Sequence, residues 1–189
     1  MSSMKRFFDV VCSLGALVVL GAPMFIIALV VKLTSRGPAL YWSDRVGRNN
    51  IIFKMPKFRT MRTDAPAVAT HLLAEPGRFI TPVGKFLRRY SLDELPQLFS
   101  ILKGDMSLVG PRPALFNQDD LIKLRTERGV HAITTGLTGW AQVNGRDDLP
   151  IPVKVDFDEY YLKNRSFLLD IRIILLTLCH ALAGKGVRH

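Results

Sequence analysis

From Val10 to Val31 the chain carries no charged residue, and a run of that length can span or enter a bilayer. Gly21-Ala22-Pro23 interrupts it midway: Pro23 lacks the N–H that would bond the Val19 carbonyl, and its ring clashes there. The pattern admits two readings. One is a plain transmembrane helix kinked at Pro23, roughly 33 Å long; the other is two tilted halves of about 17 Å that enter and leave one leaflet. Lys5 and Arg6 precede the run and Lys32 and Arg36 follow it, so cations would stay on the cytoplasmic side at both ends only if the segment is re-entrant. The preferred expectation is a helix-break-helix hairpin over residues 5–36. A cleavable signal is not expected, because the run is too long and no small-residue cleavage site follows.

Polar and apolar positions then alternate. Leu40-Tyr41-Trp42-Ser43 and Ile51-Ile52-Phe53 read as two strands joined through Arg45-Val46-Gly47-Arg48-Asn49-Asn50, a short β-hairpin. Lys54-Met55-Pro56-Lys57-Phe58-Arg59-Thr60-Met61-Arg62 interleaves cations with apolar residues, a solvated charged face or a set of contacts to headgroups or phosphates. Thr63 to Arg78 carries few signals and predicts a surface loop with a short helix. Leu95, Leu98, Phe99, Ile101 and Leu102 have helical spacing, with Gly104 placed to stop the helix. Gly104 to Pro113 predicts a rigid turn holding Arg112 between two prolines, which lowers the ordering cost of gripping a phosphate. Gly136 to Arg146 is a second glycine-rich segment, weak evidence by itself. Phe167 to Ala183, apolar but broken by Asp170, Arg172 and His180, predicts an amphipathic helix on the core or in the interface.

The sharpest chemical feature is Arg88-Arg89-Tyr90-Ser91-Leu92-Asp93-Glu94-Leu95-Pro96-Gln97-Leu98. Two adjacent carboxylates follow two arginines at the mouth of a helix. Ser91 and Glu94 fit a capping box, and acids in a first turn complement the helix dipole. Equally, Asp93 could be the cap, which would place Pro96 where no N–H is needed. On these residues alone a structural and a catalytic role are both open.

Charge narrows the classes of partner. Lys plus Arg is 26 against 16 for Asp plus Glu, a net charge of +10 over 189 residues, which calls for an anionic partner. A mean hydropathy of +0.18 argues against a soluble nucleic-acid binder and for a phospholipid surface. Cys12 and Cys179, and His71, His131, His180 and His189, show no disulfide or metal-ligand spacing and fit a reducing compartment. No internal repeat or linker divides the chain, so 1–189 is expected to be one domain: the hairpin at 5–36 and a membrane-associated catalytic part at 37–189. The expected fold class is α+β, mostly helical, with interfacial amphipathic helices around a small domain.

Taken together, these motifs resemble the bacterial sugar transferase family, the monotopic polyprenol-phosphate phosphoglycosyl transferases. The resemblance runs from the apolar hairpin through Lys57-Phe58-Arg59-Thr60-Met61, Ser91 to Leu98, Lys103-Gly104-Asp105-Met106-Ser107, Gly110-Pro111-Arg112-Pro113 and Gly139 to Arg146, and on to Tyr160-Tyr161. It implies transfer of a sugar 1-phosphate from a UDP-sugar to undecaprenyl phosphate at the cytoplasmic face of the bacterial inner membrane. UMP would be released through a covalent phosphosugar on Asp93, with Mg2+ as cofactor. The resemblance makes Asp93 and Glu94 catalytic and metal-binding, with Glu94 orienting the metal or taking a proton. It places Lys57, Arg112, Arg146 and Asp158 at the substrate; Arg88 is expected there too, and Arg88 with Arg89 should keep Asp93 ionised.

It also resolves both open choices, in favour of the re-entrant hairpin and of a catalytic Asp93. The chain departs from the family pattern at Ala22, where a serine is common, at Pro56 before Lys57, and at Thr134-Thr135 before Gly136. Two rival functions stand beside this one: a non-enzymatic basic membrane-surface protein, whose binding would fade with salt and survive Asp93→Asn, and a Mg2+-dependent diphosphate hydrolase needing no lipid acceptor.

Overall fold

The computed structural model describes residues 3–66, 76–145 and 149–183. Ser3–Thr34 forms one helix, α1, that runs through Pro23. The predicted break into two half-helices is therefore absent. A single proline removes one ladder bond and favours a kink, and here the flanking residues are held by packing on both sides of it. Leu17, Leu20, Met24, Ile27 and Val31 all pack in one cluster with Phe58 and Leu87.

Both ends of α1 are fastened to the same body. Near its start, Arg6 donates to the Ile101 and Leu102 carbonyls at 2.5 and 2.7 Å, satisfying the last-turn acceptors of a neighbouring helix. One turn later the Asp9 carboxylate, fully buried, accepts from Ser107 Oγ at 2.8 Å and the Leu108 N–H at 3.2 Å. At the other end Arg59 donates to the Ser35 carbonyl at 2.8 Å. The face turned away from the body is apolar and bare, with Phe7, Val18, Phe25 and Leu33 all exposed.

The predicted hairpin forms, longer than the sequence pattern suggests. Strands β1 (Leu40–Val46) and β2 (Ile52–Phe58) pair antiparallel with Tyr41 opposite Lys57. Asn49 and Asn50 adopt φ of 55° and 59° in the connecting turn, a left-handed geometry asparagine tolerates. Pro56 is accommodated because β2 is an edge strand in the order β2-β1-β4, where β4 is Ala114–Leu115.

After β2 come the short α2 (Pro76–Phe79), α3 (Pro82–Arg89) and α4 (Gln97–Lys103), the last ending at Gly104 with φ 101° as predicted. The predicted Thr63–Arg78 loop falls largely outside the described residues. The expected rigid turn after Gly104 contains a strand, β3 (Ser107–Val109), which pairs in parallel with β5 (Gly136–Thr138) from the second glycine-rich segment. Helices α5 (Asp119–Glu127), α6 (Trp140–Val143), α7 (Ile151–Asn164) and α8 (Phe167–Leu182) complete the body. The expected amphipathic C-terminal helix is α8: Ile173 is fully buried while Leu168, Leu175 and Leu178 are exposed.

Gly84, in α3, packs directly on the Thr60 backbone, and a Cβ there would fall far inside van der Waals contact with the Thr60 carbonyl oxygen. Gly84→Ala should therefore lower stability by about 1–3 kcal/mol, read as a lower midpoint in denaturant unfolding. Because Arg88 lies one turn further along α3, activity should fall with it.

Candidate active site

The acidic pair does not open a helix in the manner expected. Ser91 sits in the left-handed region, φ 56° and ψ 22°, and makes no side-chain cap; Asp93 and Glu94 lie in a single 3-10 turn, Leu92–Glu94, ahead of α4. Ser91 precedes the 3-10 turn without capping it through its side chain, and α4 is preceded by Pro96, so neither Ser91 nor Asp93 caps that helix. A serine with positive φ is locally strained, by roughly 1–3 kcal/mol for such a conformation, and the strain turns both carboxylates towards β2 and the Arg112 loop.

Glu94 accepts from two cations, twice on Oε1 and once on Oε2, which leaves one acceptor position of Oε2 open. Lys57 Nζ, presented by β2, donates to Oε1 at 3.0 Å. Arg112 forks onto both carboxylate oxygens, from NH1 to Oε2 at 3.1 Å and from NH2 to Oε1. Burial would raise the Glu94 pKa, but Arg112 and Lys57 outweigh it and hold the carboxyl well below the usual range. A carboxylate so held is a poor proton acceptor. Of the two duties expected for Glu94, taking a proton is thus disfavoured; it fixes Lys57 and Arg112 instead.

Asp93 is the opposite case. It is buried and makes no hydrogen bond among the described residues. Burial raises its pKa, with Lys57 opposing, Glu94 reinforcing, and Arg88 and Arg112 opposing. A desolvated carboxylate without hydrogen bonds, in the field of three cations, is a stronger nucleophile than a solvated one. Arg88 is oriented by its Nε donating to Thr60 Oγ1 at 2.8 Å.

Asp158 does not join this cluster. Its carboxylate is buried and takes both Nε and NH2 of Arg125, at 3.0 and 2.6 Å, while Arg125 NH1 donates to the Arg112 carbonyl at 2.7 Å. Asp158 therefore holds Arg125, and Arg125 holds the backbone of the residue that grips Glu94. Arg146 lies outside the described residues. Sequence reasoning missed Arg125 and Thr60: Thr60 stood inside a quoted motif, and Arg125, on a charged helix, gave no local signal.

Among the described residues no group of three or more acidic, histidine or cysteine side chains could form a metal cage. Two adjacent carboxylates, one without hydrogen bonds, nevertheless suit Mg2+, which uses one or two carboxylates and completes its shell with water and substrate phosphate.

The family model for bacterial sugar transferases matches residues 1–184. The chain belongs to the bacterial sugar transferase family. This transferase is 41% identical over 187 residues to the undecaprenyl-phosphate glucose phosphotransferase of Komagataeibacter xylinus, covering 92% of this chain and 35% of that protein. To the undecaprenyl-phosphate galactose phosphotransferase of Salmonella typhimurium it is 38% identical, over 97% of this chain and 41% of that protein. An uncharacterized sugar transferase of Bacillus subtilis is 38% identical over 98% of this chain and 90% of its own length. The sugar transferase thus matches one relative almost end to end and spans less than half of the two phosphotransferases.

Proposed function

We propose that this enzyme moves a sugar 1-phosphate from a UDP-sugar to undecaprenyl phosphate, giving the undecaprenyl diphosphosugar and UMP. The observation that carries the reading is the asymmetry of the pair: Glu94 gripped by Lys57 and Arg112, Asp93 desolvated beside them with no hydrogen bond among the described residues.

In the first half-reaction an Asp93 oxygen attacks the sugar-bearing phosphorus, the bond to the bridging oxygen breaks, and UMP leaves with the electron pair. In the second, a phosphate oxygen of undecaprenyl phosphate attacks the same phosphorus and expels the Asp93 carboxylate. One phosphoanhydride replaces another, so the overall reaction is close to balanced. Lys57 and Arg112 offer the donor's phosphate oxygens compensating charge, Lys57 and Arg88 oppose the burial that disfavours ionised Asp93, and Glu94 prevents the cations from folding onto the nucleophile. Mg2+, held by Asp93 and Glu94 with the diphosphate, would supply further charge neutralisation on the departing UMP.

Two substrates of opposite solubility must meet at this site. Because both ends of α1 are fastened to one body, the helix with its bare apolar face would lie within one leaflet, setting the site at headgroup depth on the cytoplasmic side of the inner membrane. A bilayer crossing would carry one end away from that body.

Intact-mass measurement tests the intermediate. Incubation with UDP-sugar and no lipid should add one phosphosugar, mapped to the Asp93 peptide, with a single equivalent of UMP; undecaprenyl phosphate should remove the adduct. Continuous UMP release without lipid would indicate a hydrolase.

The pH profile is a separate test. Turnover needs Asp93 ionised and Lys57 charged; burial lifts the first pKa and lowers the second. The acid limb should lie above the ordinary aspartate value and the alkaline limb below the ordinary lysine value, giving a narrowed bell.

A further inference from the structure

A cavity of about 460 Å³ opens where the turn between α7 and α8 meets the first turn of α1. None of Lys57, Arg88, Asp93, Glu94 or Arg112 lines it. Its cations are Lys5, Arg48 and Arg165, and its sole acidic side chain is Asp170. Asp170 is already committed, to Lys5 Nζ at 2.6 Å and the Tyr161 hydroxyl at 2.6 Å. Ser166 Oγ accepts from the Leu169 N–H as the cap of α8. Arg165 is exposed and makes no hydrogen bond or ion pair among the described residues, and Arg48 uses only Nε, on the Ala132 carbonyl at 3.0 Å. Val109, Ile133, Leu162 and Phe167 supply apolar wall.

The lining therefore presents positive charge and hydrocarbon, with its other polar side chains largely consumed. The base and hydroxyls of a nucleotide or sugar would find few partners beyond the Thr134 hydroxyl and would leave the apolar wall uncovered, whereas a phosphate ester carrying an acyl chain matches both the arginines and the hydrocarbon. The surroundings agree. Beside the mouth stand Met4 at 66% exposure and Leu168 at 79%, and the Phe8 and Phe167 rings meet edge to face at 5.0 Å, so the bare apolar surfaces of α1 and α8 converge on it.

We propose that this cavity binds the headgroup phosphate and proximal acyl chain of one anionic phospholipid, with Arg48 and Arg165 on the phosphate and the chain leaving along α1 and α8. The bound lipid would bridge α1, the β1–β2 turn and the α7–α8 turn. The proposal rests on membrane association and not on the reaction assigned above.

The full chain, purified from micelles doped with equal phosphatidylglycerol and phosphatidylcholine, is examined by native mass spectrometry, with UMP release measured in parallel. Wild type should retain one phosphatidylglycerol per chain in preference to phosphatidylcholine. Arg48→Gln/Arg165→Gln should lower that retention roughly tenfold while UMP release stays intact. Ala132→Trp, which obstructs the cavity and keeps every cation, should lower it as well; Lys85→Gln/Lys123→Gln, exposed cations elsewhere, should not. Arg165→Gln alone, on an exposed turn, gives an intermediate loss and guards against misfolding of the double variant. Equal retention in wild type, the arginine variants and Ala132→Trp would overturn the proposal, as would displacement by excess inorganic phosphate, which would mark a soluble-anion site. Absence of UMP release from wild type that still retains phosphatidylglycerol in preference to phosphatidylcholine would count against the catalytic reading alone.

Discussion

Asp93→Asn should reduce acceptor-dependent UMP release by at least about a thousandfold, the scale expected when a covalent nucleophile is removed, without unfolding the protein. The substitution keeps shape and removes the charge. Since burial raises the Asp93 pKa, the folded state disfavours the ionised form relative to the unfolded chain. The linkage sign is then fixed: Asp93 detracts from stability as pH rises above its ordinary value, and asparagine relieves that. Thermal unfolding at neutral pH should therefore shift upward or stay level while turnover collapses. A purely structural Asp93 would give the reverse, lower stability with activity retained.

Glu94→Gln provides the contrast. Its depressed pKa means stability that is present above the ordinary glutamate value and lost as pH falls through the folded one, so removing the charge should weaken the fold as well as the site.

Asp158→Ala should cost about 3–5 kcal/mol of stability, because it leaves the Arg125 guanidinium buried without its counter-charge. Chemical unfolding measures this directly. The informative variant is Arg125→Leu/Asp158→Leu. Replacing a whole buried pair by apolar side chains is often close to neutral in stability, yet the Arg112 carbonyl would lose its 2.7 Å donor. That double variant should fold near the wild-type midpoint and still lose about tenfold in kcat/KM, a size typical when supporting hydrogen bonds around a functional group are removed. Full activity in a well-folded double variant would show that Arg125 does not position Arg112.

Local signals in the sequence were reliable where local geometry decides the outcome. Gly104 ends α4 because a left-handed residue is needed there, and the asparagines of the β1–β2 turn serve the same end. The alternation of charge and apolarity marked α8 correctly, since the helix buries Ile173 in the core while Leu168, Leu175 and Leu178 stay exposed. Tertiary contacts decided the failures. Ser91 has the sequence of a cap but lies at φ 56° because the turn must aim both acids at Lys57 and Arg112. Pro23 has the sequence of a break, yet the surrounding apolar contacts carry the helix past it. The acids at 93 and 94 were found as a pair, but only spatial partners distinguish the one gripped by cations from its neighbour. Asp158, expected at the substrate, is paired with Arg125 behind the Arg112 backbone, a partnership only the tertiary fold creates.

The docking of α1 has a consequence for engineering and for divergence within the family. Residues of this helix complete the end of α4, accept from β3 and share a core with Phe58 and Leu87, so the long apolar helix is a structural wall of the enzyme. Cutting it away to obtain a water-soluble fragment would tear open the interior, and grafting an anchor from a relative would succeed only if the matching floor residues travelled with it.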